Sequence, residues 1–464
     1  MASTFETSRP DAANSTRLYR AIWRWHFYAG LIVAPFLIVL ALTGMVMVYG
    51  NSVETFLGPK RHVAVGSERA RIVEQAAAAQ AAVGGTVTMY VSPPSEDRAS
   101  LFIVEADEAP HVVSVDPNGA KVLDSYLRED TWFYWANEIH GTLLIGDIGD
   151  RIMEIAAGLG LVLVLTGLYL WWPRNGRSFI QVLVPRFSAT GRALWKELHV
   201  TLGFYLSVVL VFFLVSGLSW TGIWGTEMTQ AWSTFPAEKW DNVPLSDKTH
   251  ASMNHGALEE VPWGLEQTPM PASGSNAGAA GLPEGTQINL DTVAAFAKSI
   301  GFDEQFRINV PSGEEGVYTI SADSMDGDTT SPTGDRTVHI DQYTGKILAE
   351  VGYADYSMAA KAMAVGIALH QGNLGLWNTV LNIVYCLSVI FMCVSGMVMW
   401  WKRRPVGSLG APLYPRDYRI PRGILGIAVV VAVVFPLTGL SIVAFSIIDF
   451  LLPRRMKEVS SQGA

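Results

Sequence analysis

Five stretches of this chain each run for roughly the 20 apolar residues that a bilayer core demands. They are Phe27–Tyr49, Ile155–Trp172, Leu202–Trp224, Val380–Trp401 and Ile424–Leu452. Inside lipid every backbone N–H and C=O must be satisfied within the segment, so each stretch is read as a helix. The second is the shortest and extends back towards Ile145. The first is too long for the core of a signal peptide and no small-residue cleavage site follows it, so it reads as an uncleaved span. Charged residues make up 16% of the 464 and hydrophobic residues 50%. A soluble domain carries about a quarter charged residues, so membrane helices joined to polar domains fit best. A net charge of −9 without a long basic run argues against nucleic acid as a partner. Cys386 and Cys393 share one apolar stretch and cannot build a disulfide framework or a four-cysteine zinc site.

Charge sets the expected direction. Segments 1–25, 173–198 and 402–422 hold 15 Lys/Arg against 4 Asp/Glu, whereas segments 50–139 and 226–369 hold 14 against 33. Cytoplasmic loops carry the excess of Lys and Arg, so the first three segments are placed inside and the two acidic ones outside. The expected order is a cytoplasmic N-terminus (1–25) and a span at 26–49. An outer module (50–139) follows, then a span at 140–172 with an interfacial His segment and a cytoplasmic loop (173–198). The third span is 199–224, the second outer module 225–369, and the fourth span 370–401, again with an interfacial His segment. A loop (402–422), a fifth span (423–452) and a tail (453–464) complete the chain. The inner loops hold no G-x-G-x-x-G and have no room for a dinucleotide-binding domain. Any soluble cytoplasmic electron donor is therefore a separate molecule.

The chain repeats itself. Spans one and three each begin with a His and carry a small-residue pair further on, Thr43-Gly44 and Ser216-Gly217; His26 to Gly44 and His199 to Gly217 are both 18 residues. Spans two and four match as well. His140 precedes Gly167 by 27 residues and His370 precedes Gly396 by 26, and both spans close on paired tryptophans, Trp171-Trp172 and Trp400-Trp401, which read as an interfacial aromatic belt. Outside the membrane, residues 112–126 align with 338–351 as two strands around a tight turn, each after a helical stretch, Glu68–Val83 or Leu290–Ile300. The Pro/Gly/Ser-rich segment 262–286 reads as a flexible loop. Two copies of span, outer α+β module and span, running in the same direction, predict a pseudo-two-fold axis along the membrane normal.

Nine histidines are present, and four occupy the repeat-matched positions: His26, His140, His199 and His370. The axis sets His26 opposite His199 near the cytoplasmic face, and His140 opposite His370 near the outer face. Two facing imidazoles are what a bis-histidine haem needs. Copper or zinc could also use His pairs, yet no extra Cys, Met or carboxylate occupies matched positions. A lone His at a span end is often only an interfacial residue, but ionisable residues within spans are functional by default because their burial is costly. Gly30, Gly44, Gly203 and Gly217 offer small surfaces for a haem edge. His250 and His255 have no counterpart in the first repeat and read as solvated, with metal binding or replacement of an outer haem ligand as the other readings. A helix of about 20 residues separates its ends by about 30 Å, too far for one electron transfer and a reason for two cofactors.

The turns VDPNGAKVL and IDQYTGKIL resemble PepSY modules. The segments WRWHFYAGL, IHGTLL, ELHVTLGFY and ALHQG, with SGMVMWWKRRP, resemble the PepSY-associated transmembrane-helix family, which includes FoxB-type ferric-siderophore reductases. The likeness covers about residues 15–405; the first turn departs from the fuller D-Q-Y-T-G-K pattern. It implies an iron-regulated, multi-pass protein of the bacterial inner membrane with two periplasmic PepSY-like modules. It also implies two haem b groups on His26, His199, His140 and His370 as axial ligands. Electrons would come from a cytoplasmic flavoprotein or quinol and reduce ferric iron in a siderophore. Two other classes remain open at this stage. One is a cofactor-free PepSY membrane protein that regulates periplasmic peptidases or binds a ligand. The other is a transporter built on parallel repeats, against which the spans hold few charges and only Pro35 and Pro436 as breaks.

Overall fold

The computed structural model describes residues 10–50, 61–66, 68–107, 109–174, 178–226, 237–240, 242–254, 261–412 and 421–451. His255 and the 453–464 tail lie outside them. The chain divides into two compact units: a helical one (Met1–Ala41, Gly141–Met228 and Leu387–Ala464) and a sheet-bearing one (Leu42–His140 and Thr229–Cys386).

Among the described residues four helices are long and apolar enough to cross a membrane: Arg17–Tyr49, Asp147–Trp171, Gly191–Leu218 and Leu376–Arg403. The fifth stretch, expected as one span, forms two shorter helices, Arg422–Val434 and Pro436–Leu451. Proline lacks the N–H that would continue the helix and its ring clashes with the preceding turn, so the path breaks at Phe435–Pro436 and brings Gly439 against Ala432. In the helical unit the Asp147–Trp171 and Gly191–Leu218 helices lie side by side, with Gly160 making room for Leu214 and Gly158 for Thr438. Such small residues let membrane helices approach closely. Two acidic residues tie down the chain after the third span: Asp150 Oδ2 accepts from Gly222 N at 3.0 Å and the buried Glu154 Oε2 from Ile223 N at 3.2 Å.

The sheet unit is built on eight antiparallel strands. They are β1 (Thr86–Val91), β2 (Ser100–Glu105), β3 (His111–Asp116), β4 (Lys121–Leu127), β7 (Arg307–Asn309), β8 (Val317–Ala322), β9 (Arg336–Asp341) and β10 (Ile347–Gly352), while β5 (Leu245–Thr249) and β6 (Pro269–Pro271) form a separate pair. The spatial order is β10-β9-β8-β7-β1-β2-β3-β4. The two modules anticipated as separate are therefore one continuous sheet, joined where Tyr90 pairs with Ile308 and Val91 with Arg307. Each half carries a helix before its first strand, Ile72–Val83 and Leu290–Ser299.

Side chains alternate across a strand. Tyr90, Phe102, Ile308, Ile320 and Ile340 thus join Val293 and Ala297 in one core, while Met89 and Ile103 face the opposite side. The hairpins turn where the sequence placed them. Asp341 Oδ1 accepts from the N–H groups of Tyr343 and Thr344, both at 2.8 Å, and Asp116 Oδ1 from that of Asn118 at 2.9 Å. The segment expected as a flexible loop instead covers the β10 edge: Ala279 and Ile347 exchange backbone hydrogen bonds of 2.8 and 3.1 Å, and Leu282 enters the core. Covering an exposed edge removes a template for unwanted strand pairing.

Candidate functional site

The four repeat-matched histidines fall two to a unit. His26 and His199 sit within the long helices of the helical unit. His140 and His370 each end a separate helix just before a span, Trp132–Thr142 and Met358–Gln371. The first of these helices is interrupted where Leu143 and Leu144 take positive φ, and the second stops at Gly372 in the left-handed region, a conformation glycine adopts without cost.

In the helical unit His26 Nδ1 lies 3.1 Å from the Leu163 carbonyl and 3.0 Å from Thr166 Oγ1. A carbonyl only accepts, so Nδ1 carries the proton and Nε2 offers a lone pair. His199 Nδ1 meets Ser395 Oγ at 2.8 Å. In the sheet unit Thr43 Oγ1 lies 2.9 Å from His140 Nδ1. The rings of His140 and His370 are 6.5 Å apart between centroids and cross at 83°. Two imidazoles on opposite sides of one metal, each with a metal–nitrogen bond of about 2 Å, have ring centres about 6 Å apart. The separation therefore matches a bis-imidazole metal site. Outer partners on Nδ1 orient metal-binding imidazoles, and hydroxyl or carbonyl groups play that part for His26, His199 and His140.

Three glycines border the histidine rings, and Gly44, expected at a haem edge, is among them. A Cβ on Gly167 would stand 3.1 Å from His26 Cε1, one on Gly396 3.6 Å from His199 Cε1, and one on Gly44 3.7 Å from His140 Cε1. Each Thr/Ser-Gly pair thus cradles the imidazole of a neighbouring helix, the hydroxyl holding Nδ1 and the glycine admitting the ring edge. Gly30 and Gly203 meet the Leu163 and Met392 side chains.

Sequence reasoning also missed Asn378, Thr379 and Asn382. All three are buried at the start of the fourth span. Asn382 Nδ2 donates to the Leu369 and His370 carbonyls at 3.0 and 2.9 Å, Asn378 Nδ2 to Leu369 at 3.0 Å, and Thr379 Oγ1 to Gly372 at 3.1 Å. The last carbonyls of a helix have no partner within it, and these side chains supply one to the helix that presents His370. The signal was two asparagines four apart in an apolar stretch, hence on one helical face. Asn382→Leu should cost about 1–3 kcal/mol by withdrawing the donor from the buried His370 carbonyl, seen as a lower thermal midpoint.

His250, expected to be solvated, is fully buried against His339. Its Nδ1 lies 2.7 Å from the Thr268 carbonyl, its Nε2 lies 3.0 Å from His339 Nε2, and His339 Nδ1 lies 2.9 Å from Thr319 Oγ1. With both ring nitrogens engaged, His250 does not replace a ligand of the His140–His370 pair. His339 is carried inside by the alternation of β9, and His250 by the turn that follows β5.

The family model of the PepSY-associated TM region matches residues 23–403. The chain belongs to the PepSY-associated transmembrane family. No curated protein matches it. Four apolar helices and a sheet-bearing region make this family member a membrane protein with α+β modules. The Trp400-Trp401 pair carries Arg404, 5.2 and 3.7 Å from the two ring centres, and Arg403 stands 4.7 Å from the ring of Trp23. Such contacts suit residues anchored where lipid headgroups meet water.

Proposed function

We propose that this membrane protein is a di-haem b oxidoreductase of the inner membrane that reduces ferric iron held by a siderophore in the periplasm. The observation that carries the reading is the pairing of four histidines, two to a unit, with ring nitrogens oriented by Thr43, Thr166, Leu163 and Ser395. His26 and His199 would hold one haem and His140 and His370 the other, both non-covalently, because the chain has no C-x-x-C-H. When bound, each haem supplies a one-electron couple.

Each chelated Fe(III) takes one electron and leaves as Fe(II), which oxygen chelators hold far less tightly. The electron comes from a cytoplasmic flavoprotein or a quinol, since the inner loops are too short for a nucleotide domain. The acidic outer segments would repel an anionic chelate, so a neutral or cationic ferric siderophore suits them better.

Stopped-flow oxidation of the dithionite-reduced protein by a ferric siderophore tests the reading. Wild type should be oxidised rapidly, His370→Ala should lose the fast phase, and His26→Ala should keep a first fast electron. A colourless wild-type protein that is inert to the chelate would instead favour a cofactor-free role in peptidase regulation.

A further inference from the structure

Past the end of β8 the chain turns through the sequence D-S-M-D-G-D, from Asp323 to Asp328. Oxygens of Asp323, Asp326 and Asp328 all lie within 4.8 Å of one another. This is not an exposed acidic patch: Asp323 is 1% exposed and Asp328 5%, and Asp335, beside them, 4%. Arg307 serves one side of the group, with Nη1 2.7 Å from Asp326 Oδ2 and Nε 2.9 Å from Asp328 Oδ2. The carboxylate of Asp323 is placed otherwise. Its Oδ1 accepts from Asp326 N at 2.8 Å, while Oδ2 is buried with no hydrogen-bond partner.

Asp323 lines a cavity of about 20 Å³ together with Asp335, Trp263, Met325 and Tyr356. That is room for one water-sized particle. Asp335 stands on the wall with Oδ1 turned to Ser324 N at 2.8 Å. Three carboxylates are thus gathered beside Arg307, with Asp335 on the cavity wall that Asp323 shares. Burying uncompensated charge costs several kcal/mol per ion, so either a cation or a proton has to offset what Arg307 does not.

We propose that Asp323, Asp326 and Asp328 hold a hard divalent cation, calcium by the chemistry of the donors, beside the small cavity that Asp323 and Asp335 line. Carboxylate oxygens with no His or Cys among them select a hard ion. Magnesium keeps several waters in a strict octahedron, whereas calcium accepts irregular loop-supplied oxygens. The competing occupant is the proton, since burial and the neighbouring Asp328 push the Asp323 carboxyl up. Asn373 Nδ2 donates to the Ser324 and Met325 carbonyls at 3.2 and 2.7 Å, three residues beyond His370. A filled site would therefore stiffen the segment that presents His370. The proposal does not depend on the haem reading.

The test is calorimetric titration of the chelator-stripped full-length protein with calcium, alongside its thermal midpoint. One saturable site per chain is expected, at or below the roughly millimolar range of extracellular calcium modules, with a midpoint that rises with calcium. Asp323→Asn should abolish both responses and Asp328→Asn should weaken binding at least about tenfold. Terbium places the ion without disturbing its ligands: emission sensitised by tryptophan should appear in wild type and fall strongly in Trp263→Phe, which still binds calcium. Absence of saturable calcium binding in wild type, or a midpoint that answers to pH and not to calcium, would overturn the proposal. So would undiminished binding by Asp323→Asn.

Discussion

Haem content is expected to fall from about two per chain to about one when His140 or His370 is replaced by alanine, with the same haem lost in both variants. His26→Ala and His199→Ala should each remove the other one. The double variant within a pair should lose no more than either single, whereas one substitution from each pair should leave a colourless protein. This follows from the pairing: His140 and His370 face each other at 6.5 Å, and His26 and His199 share one unit with each Nδ1 held by a neighbouring helix. The pyridine haemochrome assay gives the count. Spectra of the variants show which haem remains. With a haem held between them, ring planes crossing at 83° would leave the two iron orbitals that overlap with them nearly equal in energy. The His140/His370 site should then give a strongly anisotropic low-spin resonance, which disappears in His370→Ala and survives in His26→Ala. Ser395→Ala should act more mildly, weakening haem affinity at His199 by about 10- to 100-fold as outer-shell changes do. Loss of one and the same haem in His26→Ala and His140→Ala would refute the pairing.

Much of this arrangement was legible because membrane helices leave few alternatives. An imidazole at the same place in two matched spans stands out against Leu and Val, and the repeat brings equivalents together. Thr166-Gly167 and Ser395-Gly396 were equally visible as letters, but their purpose was not. Whether a glycine opens space for a cofactor or for an imidazole edge depends on which helix lies beside it, and spacing along one helix does not say. The fifth stretch shows a similar limit. Hydropathy registers Ile424–Leu452 as continuous, while the missing N–H of Pro436 decides that it is two helices. The sheet was read as two small modules because every hairpin is local in sequence. The β1–β7 seam joins residues more than two hundred positions apart, and each of these strands looks like any other alternating segment. His250 was misread because a polar neighbourhood, D-K-T-H-A-S, suggests solvent, whereas its partner His339 comes from a distant strand.

Acid should weaken the sheet unit through that buried histidine pair. The Thr268 carbonyl only accepts, so His250 Nδ1 donates to it and His250 Nε2 must accept. His339 Nε2 therefore donates to His250, and His339 Nδ1 accepts from the Thr319 hydroxyl. A proton added to either ring would set two donors against each other or leave Thr319 without its acceptor. Burial lowers His250 to about 4 from the usual 6.5, and burial with the adjacent His250 lowers His339 well below its usual value. Between pH 6.5 and about 4 the unfolded chain takes up these protons and the folded one does not. The stabilisation is thus complete above pH 6.5 and is lost as pH falls towards 4. At about 1.4 kcal/mol per pH unit, His250 alone accounts for about 3 kcal/mol by pH 4, and His339 adds to it. Asp323 and Asp335, both raised by burial, titrate with the opposite sign, so the informative quantity is a difference between proteins. A His250→Leu, His339→Leu double variant removes both partners of the hydrogen bond and keeps the carboxyls. Its thermal midpoint should fall less than that of wild type between pH 7 and 4, by an amount corresponding to about 3 kcal/mol or more. Parallel declines in the two proteins would mean that the histidine pair gains protons as readily when folded as when unfolded.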